Sequence, residues 1–257
     1  MSSTVVITGS GSGIGRAIAI TLAERGWTVV ATDVNEVAAS ATAALLATTH
    51  GQQHLVRQLD VTDPAAAAAV ADDIADTIGL DAWVSNAGVS FMERFVDASI
   101  DHLDTTLAVN LKGVFVCGQA AARAMIRTGR SGRIVNTASM AGKQGRVPFL
   151  ADYVASKFGV IGLTQAMAFE LAQNDITVNA VCPGFVATAM QERELAWEAE
   201  LSRSTPDAVR DSWVAATPLG RLQQPVDVAR SVAFLLSDDA SFITGEALSV
   251  NGGAYMD

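Results

Sequence analysis

Tyr153 and Lys157 stand four residues apart in the stretch Tyr153-Val154-Ala155-Ser156-Lys157. On a helix that spacing sets a phenol beside an ammonium on one face. A free phenol, with a pKa near 10, is a poor base at neutral pH. A fixed positive charge nearby favours the phenolate. Bringing that pKa to about 7 takes roughly 4 kcal/mol of differential stabilisation. The pair is a candidate general base, although the same spacing fits a surface pair on an ordinary helix. The elements upstream decide between these readings.

Thr4-Val5-Val6-Ile7-Thr8 is a short β-branched run that reads as a buried strand. Gly9-Ser10-Gly11-Ser12-Gly13-Ile14-Gly15 follows, and then a helical stretch from Arg16. Strand, glycine loop and helix together make a cradle for phosphate, with free N–H groups and partial positive charge at the helix start. The spacing departs from G-x-G-x-x-G, because Ile14 and Arg16 stand where that pattern needs glycine. A second strand, Trp27 to Thr32, ends at Asp33, 18 residues after Gly15. A dinucleotide-binding unit places an acid there, on the adenosine ribose. A carboxylate at this point repels a 2′-phosphate, and Val34 and Asn35 bring no cation to welcome one. These residues favour NAD; Arg16 is the one that argues for NADP.

With these residues in place, the chain resembles the short-chain dehydrogenase/reductase family, in its NAD-preferring single-domain form. The resemblance covers nearly the whole chain through ordered motifs. Thr8 to Gly15 is similar to the family's glycine loop, with Gly9, Ser12, Gly13, Ile14 and Gly15 as implied cofactor contacts. Asp60-Val61 resembles the pair that holds the adenine ring, and Asn86-Ala87-Gly88 resembles the Asn-Asn-Ala-Gly turn, with Ser85 in place of its first Asn. Pro183-Gly184-Phe185-Val186-Ala187-Thr188 resembles the loop over nicotinamide, implying contacts from Pro183, Gly184, Val186 and Thr188.

The resemblance also implies a catalytic set of Asn110, Ser139, Tyr153 and Lys157. Tyr153 would be the general acid/base. Lys157 would lower its pKa and bind the nicotinamide ribose, and a bound cationic nicotinamide would add to that effect. Ser139 would hydrogen-bond the substrate oxygen, and Asn110 would hold a water that links Lys157 to bulk solvent. The implied fold is α/β: a Rossmann-like, doubly wound, parallel seven-stranded sheet with helices on both faces. It also implies a homotetramer, with residues 101–127 and 153–172 at one interface and residues 245–255 at the other.

At 257 residues the chain reads as one dinucleotide-binding and catalytic domain, 1–257. Half of its residues are apolar, which is ample for a core. A net charge of −10 and no basic patch argue against nucleic acid or an anionic membrane as partner. No apolar run reaches a membrane span, and the first strand begins too early to leave room for a signal peptide. Cys117 and Cys182 sit in apolar stretches and read as reduced thiols of a cytoplasmic protein. His50, His54 and His102 show no metal-ligand spacing, so no metal is expected.

Composition shifts over 189–218, which reads as a substrate lid of two helices. The first covers Gln191 to Leu201, with Leu195, Trp197 and Leu201 as apolar contacts; the second starts at Pro206. Gln144 and Phe185 are expected to touch substrate beside Ser139 and Tyr153, with Arg146, Met190 and Trp197 as further candidates. By similarity to sugar-alcohol dehydrogenases, the expected substrate is a polyol or vicinal diol and its ketone. A 3-oxoacyl-thioester reductase is the alternative, followed by a bulky alcohol such as a steroid. A non-catalytic dinucleotide sensor is a remote further class.

Overall fold

The computed structural model describes residues 3–256; residues 1, 2 and 257 of the expected domain lie outside the described residues. Seven strands, β1 (Thr4–Ile7), β2 (Thr28–Asp33), β3 (Leu55–Gln58), β4 (Ala82–Ser85), β5 (Gly132–Thr137), β6 (Ile176–Pro183) and β7 (Ala247–Val250), form one sheet. Its order is β3-β2-β1-β4-β5-β6-β7, and every pairing is parallel. This is the α/β, doubly wound arrangement read from the sequence.

Parallel strands covered on both faces must be apolar throughout, and the pleat sends alternate side chains to opposite layers. Val5, Ile7, Ala82 and Val84 enter a core with helices α1 (Gly13–Glu24) and α9 (Pro225–Leu235). Val6 and Trp83 enter the opposite core, under α3 (Pro64–Thr77) and α5 (Gly113–Arg127). Trp83 is fully buried. Burying each such side chain stabilises the fold by about 1.5–3 kcal/mol.

The remaining helices are α2 (Glu36–Ala43), α4 (Ile100–Leu107), α6 (Ala151–Leu171), α7 (Ala189–Ser202) and α8 (Pro206–Ala215). Within 101–127, a π-turn over Ala108–Lys112 separates α4 from α5. The segment 189–218 holds two helices as expected, α7 and α8, with the Thr205 hydroxyl accepting from Ala208 N at the start of the second. Leu195, Ala199, Val209 and Trp213 form a small core of their own between them, which Phe185 joins from the loop after β6. No described helix is long and apolar enough to cross a membrane. Cys117 and Cys182 are both buried, and neither forms a disulfide.

Candidate active site

The carboxyl ends of the strands gather the chemistry-bearing residues, as an open parallel sheet requires. A cleft of about 590 Å³ runs over β1, β2 and β4, with Gly9, Ser12, Gly13, Ile14 and Asp33 along its walls. Asp60, Val61, Asn86, Ala87, Gly88 and Thr188 line it as well, as do Tyr153 and Lys157. Ser12 starts α1 in extended backbone and gives the helix no side-chain cap. By contrast, Asn35, Asp63, Thr188 and Thr205 each accept first-turn N–H groups of their own helices. The leading N–H groups of α1 are thereby left for an anion, with the helix dipole behind them.

Asn86 ties this floor together. Its Nδ2 donates to the backbone oxygens of Thr8 and Gly9 at 3.2 and 3.3 Å, and the Asn86 and Ala87 N–H groups donate to Thr8 Oγ1. Asp33 is fixed at the cleft's far end, accepting from Gly11 N and Asn35 N at 2.9 Å each. Asp60 is held as an ionised acceptor, its pKa lowered by the Thr62 backbone and hydroxyl hydrogen bonds. These groups fit a nicotinamide dinucleotide: phosphate at α1, ribose at Asp33, base near Asp60 and Val61.

Several expected contacts fall elsewhere. Gly15 lies beneath the loop, where a Cβ would meet the Gly9 backbone oxygen at 2.2 Å. It therefore lets α1 dock on β1 and is not a cleft wall. Pro183, Gly184 and Val186 line the adjoining cavity, which shares Ile14, Tyr153 and Thr188 with the cleft. Their loop is turned there by Gly184 N and Val186 N donating to the side-chain oxygens of Gln223 and Gln191. Arg16 bonds Thr42 Oγ1 and the Gly11 backbone oxygen and is not among the residues of the cleft wall.

Tyr153 opens onto both cavities, and its hydroxyl is hydrogen-bonded by Ser139. Ser139 also accepts from Ala141 N at 3.1 Å, so its own proton is free to point at the phenol oxygen. The turn over Met140–Gly142 makes this approach possible, because a Cβ at Gly142 would lie 2.6 Å from the Lys157 backbone oxygen. Lys157 follows Tyr153 by one helical turn, with Nζ 5.4 Å from the ring centroid, and it donates to the Thr137 backbone oxygen at 2.8 Å.

The expected lowering of the Tyr153 pKa by Lys157 is not what the protein alone produces. Burial, and then the charge of Glu194, push the phenol well above its usual range, and the Ser139 hydrogen bond only partly opposes them. Burial also brings the Lys157 ammonium down to about 8. Burial thus favours the protonated phenol and weakens the ammonium beside it.

Asn110 sits in the π-turn with its amide fully engaged. Oδ1 accepts from Val89 N at 2.8 Å, and Nδ2 donates to Val89 O at 2.9 Å and Ser156 Oγ at 3.3 Å. Ser156 in turn donates to Tyr153 O. The side chain therefore straps the loop after β4 to the catalytic helix. It lines neither cavity.

Buried Lys157 gives a stability prediction. Its folded pKa, near 8, lies below the unfolded value of 10.5, so the folded state pays for the ammonium at neutral pH. That cost is about 3 kcal/mol, complete below pH 8 and gone above 10.5. Losing the bond to Thr137 offsets about 1 kcal/mol. Lys157→Met should therefore be inactive yet more stable by about 2 kcal/mol at pH 7, with the gain shrinking toward pH 10.5. Urea denaturation at both ends of that range checks it; lower stability throughout would contradict it.

The substrate cavity, of about 270 Å³, abuts the cleft, and Ile14, Thr137, Tyr153, Thr188 and Met190 belong to both. Ser139, Gln144, Arg146 and Phe185 line it as expected. Trp197 does not; the lid tryptophan at the wall is Trp213, stacked on Phe185 with centroids 5.0 Å apart. The sequence reading also missed Met92, Glu194 and Glu198. The two glutamates are four apart on α7, an i, i+4 signal that was present in the sequence. Among the described residues, no group of three or more His, Cys, Asp or Glu could hold a metal ion.

The profile of a family described as enoyl-(acyl carrier protein) reductase matches residues 9–255. The chain belongs to the short-chain dehydrogenase/reductase family. Within it, the chain is 39% identical to a (3R)-3-hydroxyacyl-CoA dehydrogenase of Canis lupus familiaris, covering 99% of this chain and 97% of that protein. It is 37% identical to a 3-oxoacyl-[acyl-carrier-protein] reductase of Staphylococcus aureus, covering 100% and 99%. Among solved structures, sorbitol-6-phosphate 2-dehydrogenase from Erwinia amylovora superposes with a TM-score of 0.92 at 33% identity, over 99% of this chain and 100% of that one. As a short-chain dehydrogenase/reductase, the protein is an oxidoreductase that uses a nicotinamide dinucleotide.

Proposed function

We propose that this protein interconverts a secondary alcohol, a polyol or vicinal diol, and its ketone, using NAD. The convergence of Ser139, Tyr153 and Lys157 where the cleft meets the substrate cavity carries this reading. The bound dinucleotide supplies the hydride acceptor or donor. Tyr153 gives its proton to the ketone oxygen in reduction and takes the hydroxyl proton in oxidation. Ser139 donates to that same oxygen as charge develops on it. Lys157 holds positive charge beside the phenol. Asp33, bonded at both oxygens by backbone N–H groups, supports NAD over NADP.

The raised Tyr153 pKa leaves the phenol protonated at neutral pH, the form reduction needs. Oxidation needs the phenolate. The kcat/KM for alcohol oxidation should accordingly climb with pH through the alkaline range, while that for ketone reduction should stay nearly level. Initial rates in both directions across one pH series check this; parallel profiles would contradict it.

A second reading, reduction of 3-oxoacyl thioesters, draws support from the names of the dog and Staphylococcus aureus relatives. Butane-2,3-diol and acetoin, assayed beside a 3-oxobutanoyl thioester, separate the two. A homotetramer working in the cytoplasm is part of the proposal. Phe115 on α5 and Phe158 on α6, each about half exposed, support such an interface.

A further inference from the structure

Glu194 is only 9% exposed, yet it lines the substrate cavity with Ser139 and Tyr153. Its hydrogen-bond partners are neutral donors. Ser90 Oγ donates to Oε1 at 2.6 Å, and Gln191 Nε2 donates to Oε2 at 2.7 Å. The Gln191 amide cannot turn over, because its oxygen accepts from Val186 N at 3.0 Å. The Gln191 amide therefore presents its protons, and Oε2 is held as an acceptor. Each of its oxygens keeps a second lone pair.

The charges that act on it are Arg193, which favours ionisation, and Glu198, which opposes it. Glu198 lines the same cavity one turn along α7, with Oε2 accepting from Trp213 Nε1 at 3.2 Å. Burial works against ionisation at both glutamates. Two hydrogen bonds from neutral groups offset only part of what it costs to bury a carboxylate this deep. Its charge also makes Tyr153 harder to ionise. A group that costs both stability and catalytic poise, and faces a ligand cavity, points to a ligand.

We propose that Glu194 is the specificity-determining residue of this site: its carboxylate accepts a hydrogen bond from a second hydroxyl of the substrate, close to the reacting carbon. This rests on the diol reading above and deepens it. A hydroxyl satisfies a spare lone pair and offsets the buried charge. A thioester carbonyl, or an anionic group, would bring one acceptor against another and is turned away. A site that bonds a hydroxyl rejects the analogue lacking it, because its own polar group is then left unpaired.

The test compares kcat/KM for butane-2,3-diol and butan-2-ol with NAD, in the wild type and Glu194→Gln. NADH binding, read by fluorescence, shows that each variant is folded, and Glu194→Met gives a second reading. The wild type should prefer the diol, and the diol-to-monoalcohol ratio should fall about 10- to 100-fold in both variants. A diol-preferring wild type whose variants keep the ratio would overturn the role of Glu194 and leave the diol reading standing. A wild type that ignores diols and reduces a 3-oxobutanoyl thioester would overturn both.

Discussion

Tyr153→Phe should lower kcat by about 10³-fold or more while leaving NADH affinity within a few-fold of wild type. The phenyl ring keeps the shape of the wall shared by the two cavities, and Lys157 keeps its bond to Thr137. What disappears is the hydroxyl that Ser139 hydrogen-bonds, the group able to exchange a proton with the substrate oxygen. The alternative proton carriers are poorly placed. Ser139 has an ordinary hydroxyl, and Asn110 is fully bonded to Val89 and Ser156. Steady-state rates with fluorescence titration of NADH separate chemistry from binding. A variant that keeps a tenth of wild-type kcat would show that another group moves the proton. A non-catalytic sensor would show no turnover to lose.

The second large effect concerns the cofactor. Asp33→Ser combined with Val34→Arg should shift the NAD-to-NADP ratio of kcat/KM by about 100-fold toward NADP. Asp33 faces the cleft as a fixed charge, and like charges brought together cost several kcal/mol. Gly11 makes room for it, since a Cβ there would meet Asp33 Oδ2 at 2.8 Å. Val34 is 62% exposed at the same wall, so an arginine there has space to meet a 2′-phosphate. Arg16, the sequence's one argument for NADP, is held by Thr42 and the Gly11 backbone. A wild type that prefers NADP would contradict this reading of Asp33.

Much of the fold was legible because parallel strands write themselves as apolar β-branched runs. Thr4 to Ile7 appears where the apolar run lies, and Asp33 ends β2 as its spacing implied. Motifs that cradle a ligand through backbone were legible too, because glycine has few other reasons to recur at such spacing. Side chains that act through a third residue were not. Nothing in the sequence shows that the Asn110 amide also ties down Val89, which lies 21 residues upstream. The lid misled in another way. Trp197 was a candidate for substrate contact, yet α7 turns Glu194 and Glu198 toward the cavity and leaves Trp197 half-buried off it. A helix that turns carboxylates toward a cavity inverts the usual pattern, and no hydrophobic period reveals it. The tyrosine's raised pKa likewise needs burial and the charge of Glu194, neither visible in a Tyr-x-x-x-Lys spacing.

The most direct measurement follows reduced-nicotinamide absorbance on adding butane-2,3-diol, with NAD and NADP in parallel. Wild type and Tyr153→Phe would be compared at one alkaline pH. The account predicts NADH formation by the wild type, little with NADP, and none above background in the variant. Turnover with NADP alone, or equal rates in wild type and variant, would contradict it.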